Sequence, residues 1–515
     1  MEIPSLLSIA SVCLVLFVIR IAAKYFIRPY YLLQQLKKVK GGILSYRPIF
    51  GNFPELIKSE RIHKDALYVM KKNVQENPDL RFVASTFMSE LYISLYDPEL
   101  IKEFLNKQTL FVEKDLRIFG TITKTSKAGL VFSEGERWKS LRKLISQVFH
   151  FDYMNSSIPI ISRTANEWVE RFCTGPVSTV NVSKELKTYT ATVIWRIFFG
   201  EESIDEKEES AKIIQTALES FRMTMTQSRS RWNFIFGPKF FKLGLRKFDR
   251  DFKRKYNWLL NVYTAKLKRF RQSIAEKHKK QGQADKHKNL VELLIEQSEK
   301  EMNGAGFSDL DIISQISTFF TAGTDTTSEL LTISHYHLAM NQDIQEKIRE
   351  EIKMHIGEAE ITYEHFAKMD YLNAFVKEAL RMHGPSVGVF PRVAKRDEMI
   401  GDIKIKKGFS VNVATVGLNY NPKFFKEPER FRPERWLEKE DAGVRNPLAY
   451  LPFSAGPRRC IGEQLALIEA KILLSNVIRN FKIDIQKPYE LVMGIGLGYS
   501  ARNPIHAVYT RIEKN

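Results

Sequence analysis

The stretch Phe453-Ser454-Ala455-Gly456-Pro457-Arg458-Arg459-Cys460-Ile461-Gly462 constrains this chain more than any other. It sets one cysteine on a glycine-containing, arginine-flanked loop, and the run that follows, Gln464 to Lys471, is patterned as a helix. A thiolate that binds a metal needs a backbone able to come close, and Gly456 and Gly462 remove side chains that would stand in the way. It also needs the positive ends of dipoles aimed at the sulfur, which the start of a helix supplies. Arg458 adds a cation suited to a carboxylate. A lone cysteine is more often inert packing, so the loop takes its meaning from what accompanies it.

Ser308-Asp309-Leu310-Asp311 has the form of a capping box, and the apolar periodicity behind it predicts a helix over 309–340. Its middle reads Ala322-Gly323-Thr324-Asp325-Thr326-Thr327. Glycine costs a helix interior about 1 kcal/mol relative to alanine, and the Thr326 hydroxyl can donate to the Ala322 carbonyl and open a bulge. Small residues here suit either a close helix–helix contact or a flat ligand near the backbone. Glu378 and Arg381 share one predicted helical face, a pairing worth only ~0.2–0.5 kcal/mol when exposed. Two arginines, Arg430 and Arg435, stand downstream in Pro428-Glu429-Arg430-Phe431-Arg432-Pro433-Glu434-Arg435-Trp436. Trp138 and Arg142 share another helical face, and Arg392 follows Val389-Phe390-Pro391. Alone, each of these suits a surface pair.

Together and in this order, the motifs resemble those of the cytochrome P450 family over nearly the whole chain beyond its N-terminal segment. The cysteine stretch matches the family's haem loop, Phe-x-x-Gly-x-Arg-x-Cys-x-Gly, at every defining position. The resemblance implies a mainly α fold with small β-sheets, haem b being sandwiched between the long central helix and the helix after the cysteine loop. It implies Cys460 as the axial ligand of the haem iron, with Trp138, Arg142, Arg392, Phe453 and Arg458 binding the cofactor and Ala322 and Gly323 beside it. Asp325 and Thr326 become the pair that handles protons for dioxygen. Glu378, Arg381 and Arg435 become a buried structural triad. Arg435 is preferred to Arg430 because Phe431 to Trp436 fits the longer motif and lies 25 residues before Cys460, although Trp436 stands where the family usually has Phe. Thr318, Thr321, Val387 and Val389 are expected in the substrate pocket, along with residues near Arg117 to Lys124 and Gly494 to Tyr499.

As an activity, the resemblance implies insertion of one atom of dioxygen into a lipophilic substrate, by C–H hydroxylation or epoxidation. Electrons would come from an NADPH-dependent reductase, because no flavin or nicotinamide fingerprint occurs in the chain. Two alternatives stay open: a hydroperoxide isomerase or dehydratase of the same fold that needs no reductase, and a non-catalytic haem- or lipid-binding protein. The undamaged Asp325-Thr326 pair argues against the first, and the intact cysteine loop and oxygen motif argue against the second.

Charge and hydropathy bear on location. Lysine and arginine number 79 against 60 acidic residues, a net charge of +19. Between Lys239 and Lys288 the excess is concentrated, with 17 basic and 4 acidic residues. No nucleic-acid motif accompanies it, so anionic lipid or an acidic electron donor is the expected partner rather than nucleic acid. Ile3 to Ile19 carries no charge, and if Arg20 snorkels the apolar run reaches Ala23. Arg20, Lys24, Arg28, Lys37, Lys38 and Lys40 follow it. The expectation is a membrane anchor over 1–28, a basic, glycine-containing hinge over 29–52, and a single catalytic domain over 53–515 facing the cytosol. By resemblance the membrane is that of the endoplasmic reticulum. The cysteines, Cys13, Cys173 and Cys460, lie far apart and imply no disulfide framework.

Overall fold

The computed structural model describes residues 6–87, 90–107, 113–115, 129–147, 149, 151–172, 174–200, 207–228, 243–279, 289–300, 308–438, 440–496 and 498–513. It begins with an apolar helix, α1 (Leu6–Ala22), which continues through a π turn, Ala23–Ile27, into the helix Arg28–Gln34. α1 is 17 residues long, which at ~1.5 Å per residue gives about 26 Å, against the ~30 Å of bilayer hydrocarbon. Among the described residues no helix is long and apolar enough to cross a membrane. Arg20 and Lys24 follow the apolar run at its C-terminal end.

The rest is mainly helical with small sheets, as expected. The helices that position the site are α2 (Gly135–Ser146), α3 (Phe151–Phe172), α4 (Val182–Phe199), α5 (Lys247–Lys279), α6 (Asp309–Met340), α7 (Asp370–His383) and α8 (Glu463–Asn480). α6 starts where the sequence places it. The Ser308 side chain accepts from the Asp311 N–H at 3.2 Å, and the Asp311 carboxylate accepts from the Ser308 N–H at 3.0 Å. Apolar residues such as Ile312, Ile316, Phe320, Leu331 and Leu338 are buried all round it, the signature of a helix at the centre of a core. Two of its buried hydroxyls are satisfied within the helix, Thr332 donating to the Ser328 carbonyl and Ser334 to that of Leu330, both at 2.7 Å. α4 packs along it, with α7 and α8 against its other sides. The paired helices expected over 210–227 and 254–276 are Lys207–Ser228 and α5, while the aromatics Trp232, Phe234, Phe236, Phe240 and Phe241 lie outside the described residues.

The strands are β1 (Gly42–Ser45), β2 (Phe82–Phe87), β3 (Glu90–Leu95), β4 (Glu113–Lys114), β5 (Val177–Asn181), β6 (Arg392–Val393), β7 (Glu398–Ile400), β8 (Ile403–Ile405), β9 (Ser410–Val413), β10 (Phe481–Ile485), β11 (Met493–Ile495), β12 (Tyr499–Ala501) and β13 (His506–Arg511). The largest sheet runs β1-β2-β3-β9-β6-β4, and β11 and β12 pair as an antiparallel hairpin. The strand signal expected from Ile400 to Val413 is broken into pieces by Gly401 at φ +56° and Gly408 at φ +90°, turns that side-chain-bearing residues rarely make.

One buried charge set ties α7 to the irregular segment that leads to the cysteine loop. Arg381 donates from Nε and Nη2 to the two Glu378 oxygens, each at 2.9 Å, and Arg435 Nε donates to Glu378 Oε1 at 3.0 Å. All three side chains are fully buried. Asp441 takes the far side of Arg435, so two arginines face two carboxylates. The Glu378 carboxyl is lowered, Arg381 and Arg435 outweighing the burial that opposes ionisation. Arg430 contributes its carbonyl, accepting from Arg435 Nη2 at 3.2 Å, while its own guanidinium is exposed. Trp436 does what a phenylalanine could not, donating its indole N–H to Glu378 Oε2 at 2.9 Å.

Two buried histidines, His335 and His337, and the half-buried His383 lie nearby. His337 Nε2 meets His383 Nδ1 at 3.0 Å, and His335 Nδ1 meets the Leu331 carbonyl at 2.7 Å. Burial lowers His335 to about 4 and His337 to about 3, with Arg381 adding to the second. His383 is lowered too, by burial and then by His337, Lys71 and Arg381. A histidine kept neutral in the fold gains its proton on unfolding, so its contribution is complete above the ordinary 6.5 and is lost as pH falls toward the depressed value.

Two predictions follow from this packing. Glu378→Ala leaves two arginines buried against a single carboxylate and should cost about 3–5 kcal/mol. Trp436→Phe should cost about 1.5–3 kcal/mol for one bond to a charged group, and Arg430→Ala close to nothing, an order read from denaturant midpoints. His335→Leu should flatten the acid limb of stability by one proton, about 1.4 kcal/mol per pH unit between pH ~6 and ~5, measured as the difference between parent and variant urea midpoints.

Candidate active site

Cys460 sits between a 3-10 turn, Gly456–Arg458, and the start of α8. The loop is closed by the Cys460 N–H donating to the Phe453 carbonyl and the Arg459 N–H to that of Gly456, both at 3.0 Å. Gly456 has φ +72°, which explains glycine there, whereas a Cβ at Gly462 would meet no atom of the described residues within 4 Å. The Cys460 side chain is exposed rather than packed into the core. The protein around it still pushes the thiol up, against which the Gly462 N–H, Arg142 and Arg459 favour the thiolate. A bound metal ion would hold that anion outright. Among the described residues no group of three or more His, Cys, Asp and Glu could hold a metal ion.

The charges beside the loop say what kind of molecule fits there. Arg458 stacks over the Trp138 ring at 3.9 Å and donates to the Ser133 carbonyl at 3.0 Å. Arg142, one turn along α2, donates to the Arg459 carbonyl at 3.0 Å. Arg392, on β6, is 3% exposed, and among the described residues its Nε has no hydrogen-bond partner. Lys114, on β4, is buried against the Val131 carbonyl with its ammonium 4.9 Å from the Phe390 ring centroid. Burial first, then mutual repulsion, holds Lys114 well below its ordinary range and Arg458 at about 10; burial lowers Arg392 to about 10 as well. Glu134 is the carboxylate that favours all three cations. Among the described residues these three basic groups share Glu134, and a flat dicarboxylate would supply the negative charge that favours the protonated form of all three. The donor set therefore fits the two propionates of haem b. Lys114 and Glu134 escaped the sequence reading because Glu113-Lys114-Asp115 forms no motif, and only the β4–β6 pairing brings Lys114 to Arg392.

On α6, Thr326 donates its hydroxyl to the Ala322 carbonyl at 2.7 Å, and both side chains face a cavity of about 450 Å³. The helix stays α throughout Asp309–Met340, without the bulge that this bond was expected to open. Asp325 lines the same cavity and accepts from Lys187 Nζ of α4 at 3.1 Å. Gly323 corrects an expectation. It is turned toward α4, where a Cβ would come within 2.7 Å of Ile194 Cδ1. One residue is a rotation of about 100° on a helix, so Gly323 serves the approach of two helices while Ala322 faces the cavity.

The cavity lies between α5, α6 and the segment Pro385 to Pro391, with the β11–β12 hairpin at one side. Thr318, Thr321, Val387 and Val389 all line it, and among the described residues the buried Thr318 hydroxyl has no partner. Gly498 and Tyr499 line it as well, whereas Gly494 faces Arg502 and Glu60 instead; Arg117 to Lys124 lie outside the described residues. Phe453 is partly buried and packs against the main core. The walls are mostly aliphatic and aromatic, as a site for an apolar molecule requires.

The cytochrome P450 family model matches residues 43–493. Cytochrome P450 3A13 of Mus musculus is 31% identical over 412 residues, covering 78% of this chain and 78% of that protein. Cytochrome P450 3A12 of Canis lupus familiaris is 31% identical over 398 residues, and cytochrome P450 4F8 of Homo sapiens 28% over 407, each covering 76% of both chains. With the family model spanning most of its length, and with a cysteine loop and cation set that fit haem, the chain belongs to the cytochrome P450 family and is a haem monooxygenase.

Proposed function

We propose that the protein hydroxylates or epoxidises a lipophilic molecule, using electrons from an NADPH-dependent reductase while associated with the endoplasmic reticulum membrane. The observation that carries the site assignment is the set of buried, under-compensated cations beside an accessible Cys460. When bound, haem supplies the reductive activation of dioxygen that side chains cannot. Cys460 would hold the iron, its thiolate steadied by the Gly462 N–H and the start of α8. Trp138, Arg142, Arg392, Arg458 and Lys114 would hold the carboxylates and so fix how the plane is turned.

The remaining work belongs to α6. Lys187 is 40% exposed and bonded to Asp325, so this pair links solvent to the cavity. Asp325 would take protons from that side and pass them inward, and the Thr326 hydroxyl, anchored on the Ala322 carbonyl, would hold the proton at the cavity end. Aliphatic and aromatic walls exclude water and orient the substrate by shape. Membrane association is supported by the apolar α1, the basic residues after it, and the exposed Phe50, Phe53, Ile57 and Ile62.

The carbon monoxide difference spectrum of the reduced protein should show the strongly red-shifted Soret band of a thiolate ligand, absent in Cys460→His; a band at shorter wavelength in the parent would sink the assignment of Cys460. Asp325→Asn should keep the band and lower reductase-supported product formation by about a hundredfold or more. Turnover of a hydroperoxide without any electron donor, unchanged in that variant, would replace the monooxygenation reading with an isomerase.

A further inference from the structure

One buried acid in the cavity has no part in the chemistry above. Glu329 lies on α6 one helical turn beyond Asp325, is 6% exposed, and lines the same cavity as Asp325 and Thr326. Its Oε1 accepts from the Ala501 N–H of β12 at 2.8 Å. Among the described residues its Oε2 has no hydrogen-bond partner, and the carboxyl forms no ion pair. The charges that face it are committed elsewhere: Lys187 of α4 to Asp325 at 3.1 Å, and Arg502, beyond β12, to Glu60 at 3.1 Å.

A carboxyl in an apolar wall is costly to bury. If the group served only to fasten β12, a neutral amide would accept from Ala501 equally well at less cost. The second oxygen is what distinguishes a carboxyl from an amide here, since an ionised carboxylate offers only acceptors. We infer that Glu329 determines specificity by taking the hydrogen-bond-donating end, a hydroxyl or protonated amine, of an otherwise apolar substrate. This rests on the cavity being the substrate site of the monooxygenase.

The wall around Glu329 agrees with a ligand of that shape. Leu259, Leu260, Ile313, Phe320 and Val389 line the rest of the cavity, so an extended apolar body with one polar end matches it. Burial pushes the Glu329 carboxyl up to about 7, with Asp325 adding to the shift and the Ala501 N–H, Lys187 and Arg502 opposing it; Tyr489 also feels its charge. Its acceptor-only form therefore fills in as pH rises through neutrality. Below that, the neutral acid can donate as well as accept, and its preference for a donor weakens.

The test compares decan-1-ol with its isomer methyl nonyl ether, which keeps the chain and the oxygen but lacks the donor. Binding of each to the full-length, haem-loaded protein is measured by calorimetry for the parent, Glu329→Gln and Glu329→Leu. At about pH 8 the parent should prefer the alcohol by about tenfold, one hydrogen bond to a charged group. Glu329→Gln, whose carbonyl keeps the Ala501 bond and whose NH₂ faces the cavity, should bring the ratio near one, as should Glu329→Leu. At about pH 6 the parent's preference should shrink. An alcohol preference that survives unchanged in Glu329→Gln, or parent protein that binds neither isomer, would overturn the inference. The carbon monoxide spectrum of the same samples reports separately on Cys460, so failure of the haem assignment is not mistaken for failure of this one.

Discussion

Charge removed from water has to meet opposite charge or be neutralised, and two charge clusters among the described residues resolve that requirement in opposite ways. Around Glu378 the account closes within the chain, Arg381 and Arg435 against Glu378 and Asp441. Breaking such a set strands a charge, so every segment that supplies a member is held in place. α7 supplies the acid and one arginine, and the irregular run before the cysteine loop supplies the rest. Phe431, in that run, stacks on His337 of α6 at 3.9 Å between ring centroids. The triad thus fixes the path from the central helix to the cysteine loop without touching the site.

Around Lys114, Arg392 and Arg458 the account does not close among the described residues. Three basic groups share Glu134, and among the described residues the buried Arg392 Nε has no hydrogen-bond partner. A fold gains nothing from that arrangement by itself, because repulsion and desolvation both oppose it. It becomes favourable when a dianion binds, and the cofactor's carboxylates then contribute to stability as well as orientation. The same cations that raise the cost of the cofactor-free state select a cofactor with two negative charges on one edge.

What could be read from the sequence was whatever depends on neighbours along the chain. The Ser308 capping box, the span of α6 and the helix after Cys460 follow from local spacing, as does the hydroxyl bond from Thr326 to Ala322. What could not be read depends on pairings across the fold. Lys187 reaches Asp325 across 138 positions, and Lys114 reaches Arg392 only because β4 and β6 pair. Nothing in the local sequence marks either lysine. Gly323 shows the converse limit. Its smallness was visible, but the direction it faces is set by Ile194 on another helix. Likewise the long strand signal before Val413 gave no hint that Gly401 and Gly408 would fold it into short pieces.

α6 concentrates these requirements because a helix offers separate faces at separate phases. Gly323 and Thr324 meet α4, through Ile194 and through the Thr190 hydroxyl that donates to the Thr324 carbonyl at 3.0 Å. Ala322, Thr326 and Glu329 fall three or four residues apart and so share the cavity face. Asp325 lies between the two phases, which lets one carboxylate bond Lys187 of α4 while still bordering the cavity. Shifting the sequence by one residue would rotate all three sets at once. The packing of α4 against Gly323 therefore holds the phase of the helix, and through it the direction in which each polar group on α6 points.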